Sequence, residues 1–337
     1  MSQNETASLR WGLVGPGGIA ERFAAALERS DGGELHAVAS RDLARAERFA
    51  SEHGAPVAVG GHSELFARSD VDVVYVAVPH SYHCELVIEA LGAGKHVLCE
   101  KPMGISGAEV RSMVAAANAA GRFLMEGMWS RFLPAYRTIT ELVASGRIGR
   151  PLLVDGSFGF RAPFDPAHRW FDPALAGGAL LDLGVYPLHL AEHVLGHTEQ
   201  VHAVAALGAT GVDEVTTVLT SHPNGAAAVT TASLSVDLDW TASIRGTGGR
   251  IVVEAPSHDP PGLRVVDAEG EQRLDCSYEG DGLRFELDEV HRSISAGLVE
   301  SPSMTLADSV RFADVLESAR RAIGVTYPSE TGSPELP

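Results

Sequence analysis

Three short segments of this chain combine residue types and spacings suited to chemistry. The first, Gly15-Pro16-Gly17-Gly18-Ile19-Ala20, is a G-x-G-x-x-A run. Here Gly15 permits a tight turn, Gly17 lets backbone approach a pyrophosphate, and Ala20 lets a helix pack closely on its strand. Around Gly18 and Ile19 the free N–H groups of the helix start attract an anion. The second, Cys99-Glu100-Lys101-Pro102, sets an acid beside an ammonium group, with Pro102 stiffening the turn beyond. The third places Asp182, Tyr186, His189 and His193 at i, i+4, i+7 and i+11, after the pair Gly177-Gly178. That spacing is one face of a helix if the helix already runs by Asp182. Carboxylate, phenol and imidazole are proton-transfer groups, and paired glycines admit a ligand closely. His193 reads as structural, and His189 as either structural or functional.

The elements that must position these groups follow from periodicity. Over the first 125 or so residues short apolar runs alternate with helical patterns, as in βαβ units. Strands are expected at Arg10–Gly15, Leu35–Ser40, Val57–Val59, Val71–Val78, His96–Cys99 and Phe123–Met128. Helices are expected at Gly18–Arg29, Leu43–Glu52, His62–Ala67, Glu85–Ala93 and Ala108–Ala120. The glycine run then joins the first strand to the first helix, which is the context a dinucleotide-binding turn requires. Lys101 falls at the carboxyl end of a parallel strand, where such sheets bind ligands.

Beyond residue 128 the period changes to two. Strands are expected at Leu152–Phe160, Gln200–Ala206, Glu214–Ser221, Ala226–Val236, Thr241–Gly246 and Arg250–Glu254. Helices are expected at Ala135–Ser145, Leu183–Leu195, Arg284–Gly297 and Leu306–Ala322, and the tail from Tyr327 looks frayed. The fold class is therefore α/β plus α+β. Residues 1–128 form a Rossmann dinucleotide-binding domain, and residues 129–337 a substrate-binding domain with a large, mostly antiparallel open sheet. Alternating apolar residues in Ala226–Val236 suit pairing of two sheets, hence a homodimer or higher oligomer.

The adenosine side is set after the second strand, where Ser40-Arg41-Asp42 stands. A guanidinium and a hydroxyl fit a 2′-phosphate, so NADP is expected in preference to NAD. The alternative is a solvated Arg41 with Asp42 capping the next helix.

A formal net charge of −18 leaves no clustered cations for nucleic acid. Apolar runs such as Val73–Pro79 are far too short to span a membrane. The polar segment Met1–Ser8 lacks signal or transit patterns, and three cysteines without a CxxC pair suit a reducing compartment. The expected location is the cytoplasm. His80 and His83 have no third ligand at a suitable spacing, so no metal is expected.

Together, Gly15–Ala20, Glu100-Lys101-Pro102 and Gly177–Tyr186 resemble the glucose–fructose oxidoreductase / inositol dehydrogenase / rhizopine-catabolism (Gfo/Idh/MocA) family along nearly the whole chain. The segments Glu126–Pro134 and Phe171–Leu175 resemble the branch containing dimeric dihydrodiol dehydrogenases and NADP-dependent D-xylose 1-dehydrogenases. Tyr186 matches that branch, whereas inositol-dehydrogenase-like members carry histidine there. The glycine run, commonly three in this branch, is Ala176-Gly177-Gly178 here.

The resemblance implies that Tyr186 takes a proton from a sugar or diol hydroxyl while hydride passes to nicotinamide. A free phenol, with a pKa near ~10, is a poor base, and Lys101 would favour its phenolate. Asp182 would orient lysine or substrate. Pro79, His80, His83 and Glu100 would lie beside the cofactor, and Trp129, Arg131, Arg161, Trp170 and His189 are the substrate-side candidates, with Trp170 either stacking on a sugar face or packing under its loop and His189 functional or structural. The leading expectation is oxidation of a pyranose such as D-xylose or D-glucose at C1. A dihydrodiol or dicarbonyl substrate is the second, and a dinucleotide-binding regulator without catalysis the third.

Overall fold

The computed structural model describes residues 8–330. Six strands, β1 (Leu9–Val14), β2 (Gly33–Ala39), β3 (Val57–Val59), β4 (Val73–Val76), β5 (His96–Glu100) and β6 (Leu124–Gly127), pair in the order β3-β2-β1-β4-β5-β6. Every pairing is parallel. The connecting helices are α1 (Gly18–Leu27), α2 (Leu43–Glu52), α3 (His62–Phe66), α4 (His83–Gly92) and α5 (Gly107–Ala120). This is the doubly wound sheet that the alternating pattern predicts. All four residues of β4 are buried, because helices cover both faces of such a sheet.

The chain then forms α6 (Pro134–Ala144), β7 (Pro151–Gly159), α7 (Val185–Leu195), β8 (Gln200–Leu207), β9 (Asp213–His222), β10 (Ala226–Ser233), β11 (Ala242–Gly246), β12 (Gly249–Val253), β13 (Gly262–Asp267) and β14 (Gly270–Asp275). Helices α8 (Leu283–Ser295) and α9 (Leu306–Ala322) follow. The second sheet runs β14-β13-β12-β11-β7-β10-β9-β8, and only β7 with β10 pair in parallel. Helix α7 packs on β7 and β10, which sets the inner face of this sheet.

Two compact units result. The first holds residues up to Gly104, then Ala108–Phe132 and Gly280–Val310; the second holds Ile105–Gly107, Leu133–Glu279 and the residues from Arg311 onward. Gly280–Val310 joins the first unit through contacts remote in sequence. Trp11 Nε1 donates to His291 Nε2 at 3.0 Å, and Arg22 pairs with Asp281 at 2.8 Å. Periodicity within a segment cannot report such partners.

Three other differences from the sequence reading have local causes. The hairpin β13–β14 was not expected, because its turn Ala268-Glu269 lacks glycine and asparagine and β14 is a polar edge strand. Helical backbone begins before Leu183, as a wide π turn over Leu180–Gly184 that runs into α7. Pro187 has no N–H to donate, and a widened turn accommodates that loss. Tyr327 is not frayed: it is 1% exposed, and a short 3₁₀ turn, Pro328–Glu330, follows it. The rest of that tail lies outside the described residues. The apolar segment Pro173–Leu195 has its most apolar window 89% buried inside the protein, which marks a core element.

Burial pushes His291 down from its ordinary 6.5 to about 4. The unfolded chain therefore takes up a proton there first, and stability falls as pH drops from 6.5 toward 4. His291→Gln keeps an acceptor for Trp11 but cannot titrate. Thermal unfolding followed across that interval should show a shallower loss of Tm in the variant. Equal slopes would exclude His291 as the cause.

Candidate active site

In the first unit, the turn after β1 is built for close approach. Gly15 has φ +90°, and a Cβ there would come within 2.7 Å of the Ala77 carbonyl oxygen. Gly17 caps α1 with no side-chain hydrogen bond, and a Cβ on Gly18 would meet nothing within 4 Å. The first N–H groups of α1, at Gly18, Ile19 and Ala20, have no intrahelical acceptor, as at any helix start, and no side-chain cap from Gly17 competes for them.

At the end of β2 the half-buried Ser40 accepts from Asp42 N at 3.2 Å, and Asp42 caps α2 by accepting from Arg45 N. Arg41 is exposed. Arg45, one helical turn on, donates from Nε to the Pro16 carbonyl at 2.9 Å, with its Nη2 over Gly17. The sequence reading missed Arg45. Its signal was available as a second arginine four residues after Arg41, in the first turn of a helix.

Lys101 follows β5 in a turn that three buried side chains hold. Glu100, 6% exposed, accepts from Tyr75 Oη at 2.5 Å and from Lys101 N at 3.1 Å. Its carboxyl is pushed up by burial and drawn back by the Lys101 charge. Glu126 accepts from Met103 N at 3.0 Å, and burial pushes it up to about 7. His83 lies with Nδ1 3.0 Å from the Pro102 carbonyl and Nε2 2.9 Å from that of Val78. Burial lowers its pKa, while those carbonyls favour the protonated ring. Both nitrogens of His83 thus face backbone carbonyls, one at the Lys101 turn and one just beyond β4, and the neutral ring donates to one of the two. His80, 7% exposed, follows Pro79 in a 3₁₀ turn with its ring 5.7 Å from that of His83.

Trp129 and Arg131, expected beside substrate, are engaged within this unit. Trp129 is 1% exposed with the Arg22 guanidinium 4.9 Å over its ring, and Arg131 bonds the Ser303 carbonyl and Asp308.

In the second unit, Gly178 has φ +128°, and its carbonyl accepts from Asp182 N at 3.3 Å as the wide turn begins. Asp182 is buried and accepts from Arg169 Nη1 at 2.7 Å. Tyr186 is 8% exposed, its ring 5.7 Å from Phe158 and 5.1 Å from His258. Phe158 stacks on His258 at 4.4 Å and meets Trp240 edge-on at 4.8 Å. Phe160 links Trp240 to Trp170, extending an aromatic wall. Phe158 was legible as an inner-face residue of β7; Trp240 and His258 sit in loops without periodicity. His189 is buried between His193 and Phe312, His193 faces Thr140 Oγ1 at 2.8 Å, and Arg161 is exposed. Among the described residues no three His, Cys, Asp or Glu side chains gather as a metal site.

An anion-ready glycine turn on a parallel sheet, with a lysine at a strand end, defines the class: a dinucleotide-binding oxidoreductase. Residues 9–128 match the oxidoreductase family described as having an NAD-binding Rossmann fold, and residues 136–252 match the GFO/IDH/MocA C-terminal domain. The chain belongs to the Gfo/Idh/MocA family and is an enzyme of the dehydrogenase kind that uses a nicotinamide cofactor. It is 39% identical to trans-1,2-dihydrobenzene-1,2-diol dehydrogenase of Bos taurus, over 96% of this chain and 99% of that one. The same figures hold for the Homo sapiens enzyme of that name. Among solved structures, a 3-ketoreductase from Actinomadura kijaniata in complex with NADP and TDP-benzene superposes with a TM-score of 0.85 at 29% identity, covering 94% of this chain and 98% of that one. An aldose-aldose oxidoreductase from Caulobacter crescentus complexed with glycerol gives 0.85 at 26%, covering 94% and 97%.

Proposed function

We propose that this enzyme oxidises a carbinol carbon of a cyclic vicinal diol with NADP, Tyr186 serving as acid/base and Lys101 assisting it. The observation that carries the reading is the aromatic wall at Tyr186, whose Phe158, His258 and Trp240 rings suit a flat, weakly polar ring. Relatives named for a dihydrobenzenediol support it. Tyr186 takes the hydroxyl proton, and the rings around it keep bulk water from the reacting oxygen. The ammonium of Lys101 stabilises negative charge as that proton leaves. Asp182, fixed by Arg169, orients the polar end of the substrate. The nicotinamide, when bound, supplies the hydride acceptor. The second reading, a pyranose oxidised at C1, draws on the likeness to two enzymes whose names point to sugars.

Ser40, Arg41 and Arg45 would hold a 2′-phosphate, which favours NADP over NAD. A second copy of the chain is the proposed cover for the outer face of the second sheet. There Val204, Leu219 and Val229 are 71%, 45% and 40% exposed, and Leu219 pairs directly with Val229.

Tyr186→Phe and Lys101→Met should each lower kcat by about 10²-fold or more while nucleotide binding, read by fluorescence titration, persists. Near-wild-type turnover in either would sink the assignment. Replacing Arg41 and Arg45 together by Ala should raise KM for NADP about tenfold or more and that for NAD by clearly less, since NAD would lose only the support of Arg45 to the glycine turn. An equal rise for both nucleotides would remove the 2′-phosphate role. Light scattering should find a dimer that Leu219→Glu with Val229→Glu converts to monomer; a monomeric wild type would contradict the sheet interface.

A further inference from the structure

The backbone that carries Asp182 and Tyr186 rests on a buried carboxyl to which proton and hydride transfer give no task. Asp213 opens β9 and is fully buried. Its Oδ2 accepts from Leu180 N at 2.7 Å and from Thr216 Oγ1 at 2.6 Å. Its Oδ1 has no hydrogen-bond partner and lies against Gly178, where a Cβ would come within 2.2 Å of it. Only glycine fits there, and the carboxyl closes the space that glycine leaves.

From another part of the same unit, Tyr327 Oη donates to the Gly177 carbonyl at 2.9 Å. Tyr327 is itself held. The Arg320 guanidinium lies 4.8 Å over its ring, and its N–H donates to Glu330 at 2.9 Å. Arg320, 1% exposed, donates to Glu330 at 2.7 and 2.5 Å and to the Val325 carbonyl at 2.9 Å. Residues 177–180 are therefore bonded from two remote stretches of chain, at the start of the wide turn leading to Tyr186.

We infer that Asp213 and Tyr327 are positioning residues for the reaction, fixing the glycine turn and the wide turn from which Asp182 and Tyr186 project. The inference rests on the role proposed for Tyr186. A neutral acceptor would satisfy Leu180 N at less desolvation cost, so the choice of a carboxyl calls for a reason. Bonds to an ionised acceptor are about twice as strong as neutral ones, which favours aspartate where the turn must not drift. The charged and titratable groups facing Asp213 are Arg320 and Tyr327, with Glu330 balancing Arg320. Burial raises Asp213 to about 6, while the Thr216 and Leu180 bonds and the Arg320 charge pull it back. As pH falls through that value the acceptor loses its charge, the turn loosens, and turnover declines.

The test is kcat and KM across pH for Asp213→Asn, Asp213→Ala and Tyr327→Phe, with circular dichroism and NADP binding as controls. Asp213→Asn keeps an acceptor but not the charge. Its kcat should be several-fold low well above pH 6 and should lack the wild-type decline near pH 6. Asp213→Ala should lose about ten- to a hundredfold in kcat with KM for NADP unchanged. Tyr327→Phe should lose several-fold. If Asp213→Ala does not fold, the two milder variants decide. Wild-type kcat and pH profile in folded Asp213→Asn and Tyr327→Phe, with only Tm lowered, would make these residues structural and overturn the inference. Tyr186→Phe, run beside them, separates the two failures: if it stays active the Tyr186 reading falls. If it is dead while the others are unaffected, only the positioning inference falls.

Discussion

A turn can aim a side chain only if its own peptide groups are bonded, and two turns in this protein are bonded by buried acids. After β5, the Glu100 and Glu126 carboxyls take the N–H groups of Lys101 and Met103. Before α7, Asp213 takes that of Leu180. Burying a carboxyl costs free energy unless its lone pairs are met, and here the donors are backbone groups that would otherwise be orphans. The cost appears as the raised pKa of Glu126, Glu100 and Asp213. The benefit is backbone held where loop motion would otherwise be expected.

The same economy governs charge. A chain with a formal net charge of −18 repels an anionic cofactor at long range, so attraction has to be local. In the proposed reading, uncapped N–H groups of α1 would provide one element of it, and Arg41 and Arg45 the other. Arg45 also bonds the Pro16 carbonyl, so one guanidinium both stiffens the glycine turn and supplies positive potential beside it.

Local pattern made the first sheet legible almost strand for strand, since β–α alternation and helix stops such as Gly94 and Gly121 are written in consecutive residues. Gly15–Ala20 and Gly177–Tyr186 stood out as candidates for the same reason, their residue types lying in consecutive positions. What escaped was non-local. That α8 belongs with the first unit depends on Trp11 meeting His291, 280 residues apart. That both nitrogens of His83 face backbone carbonyls, one of them 19 residues away, could not be read from its neighbours in sequence. Tyr327 looked like frayed tail because its partner, the Gly177 carbonyl, is 150 residues away. Burial, too, is set by distant partners: it encloses Trp129 and gathers Phe158, Trp240 and His258 near Tyr186.

These pinned turns are proposed to serve removal of a hydride from the carbinol carbon of a cyclic diol. The decisive experiment is turnover of a trans-diol deuterated at both carbinol carbons, followed by mass spectrometry of the reduced nucleotide. NADPH should gain deuterium from the substrate in proportion to diol consumed. Reduced nucleotide without deuterium, or diol consumed without reduction of NADP, would contradict it.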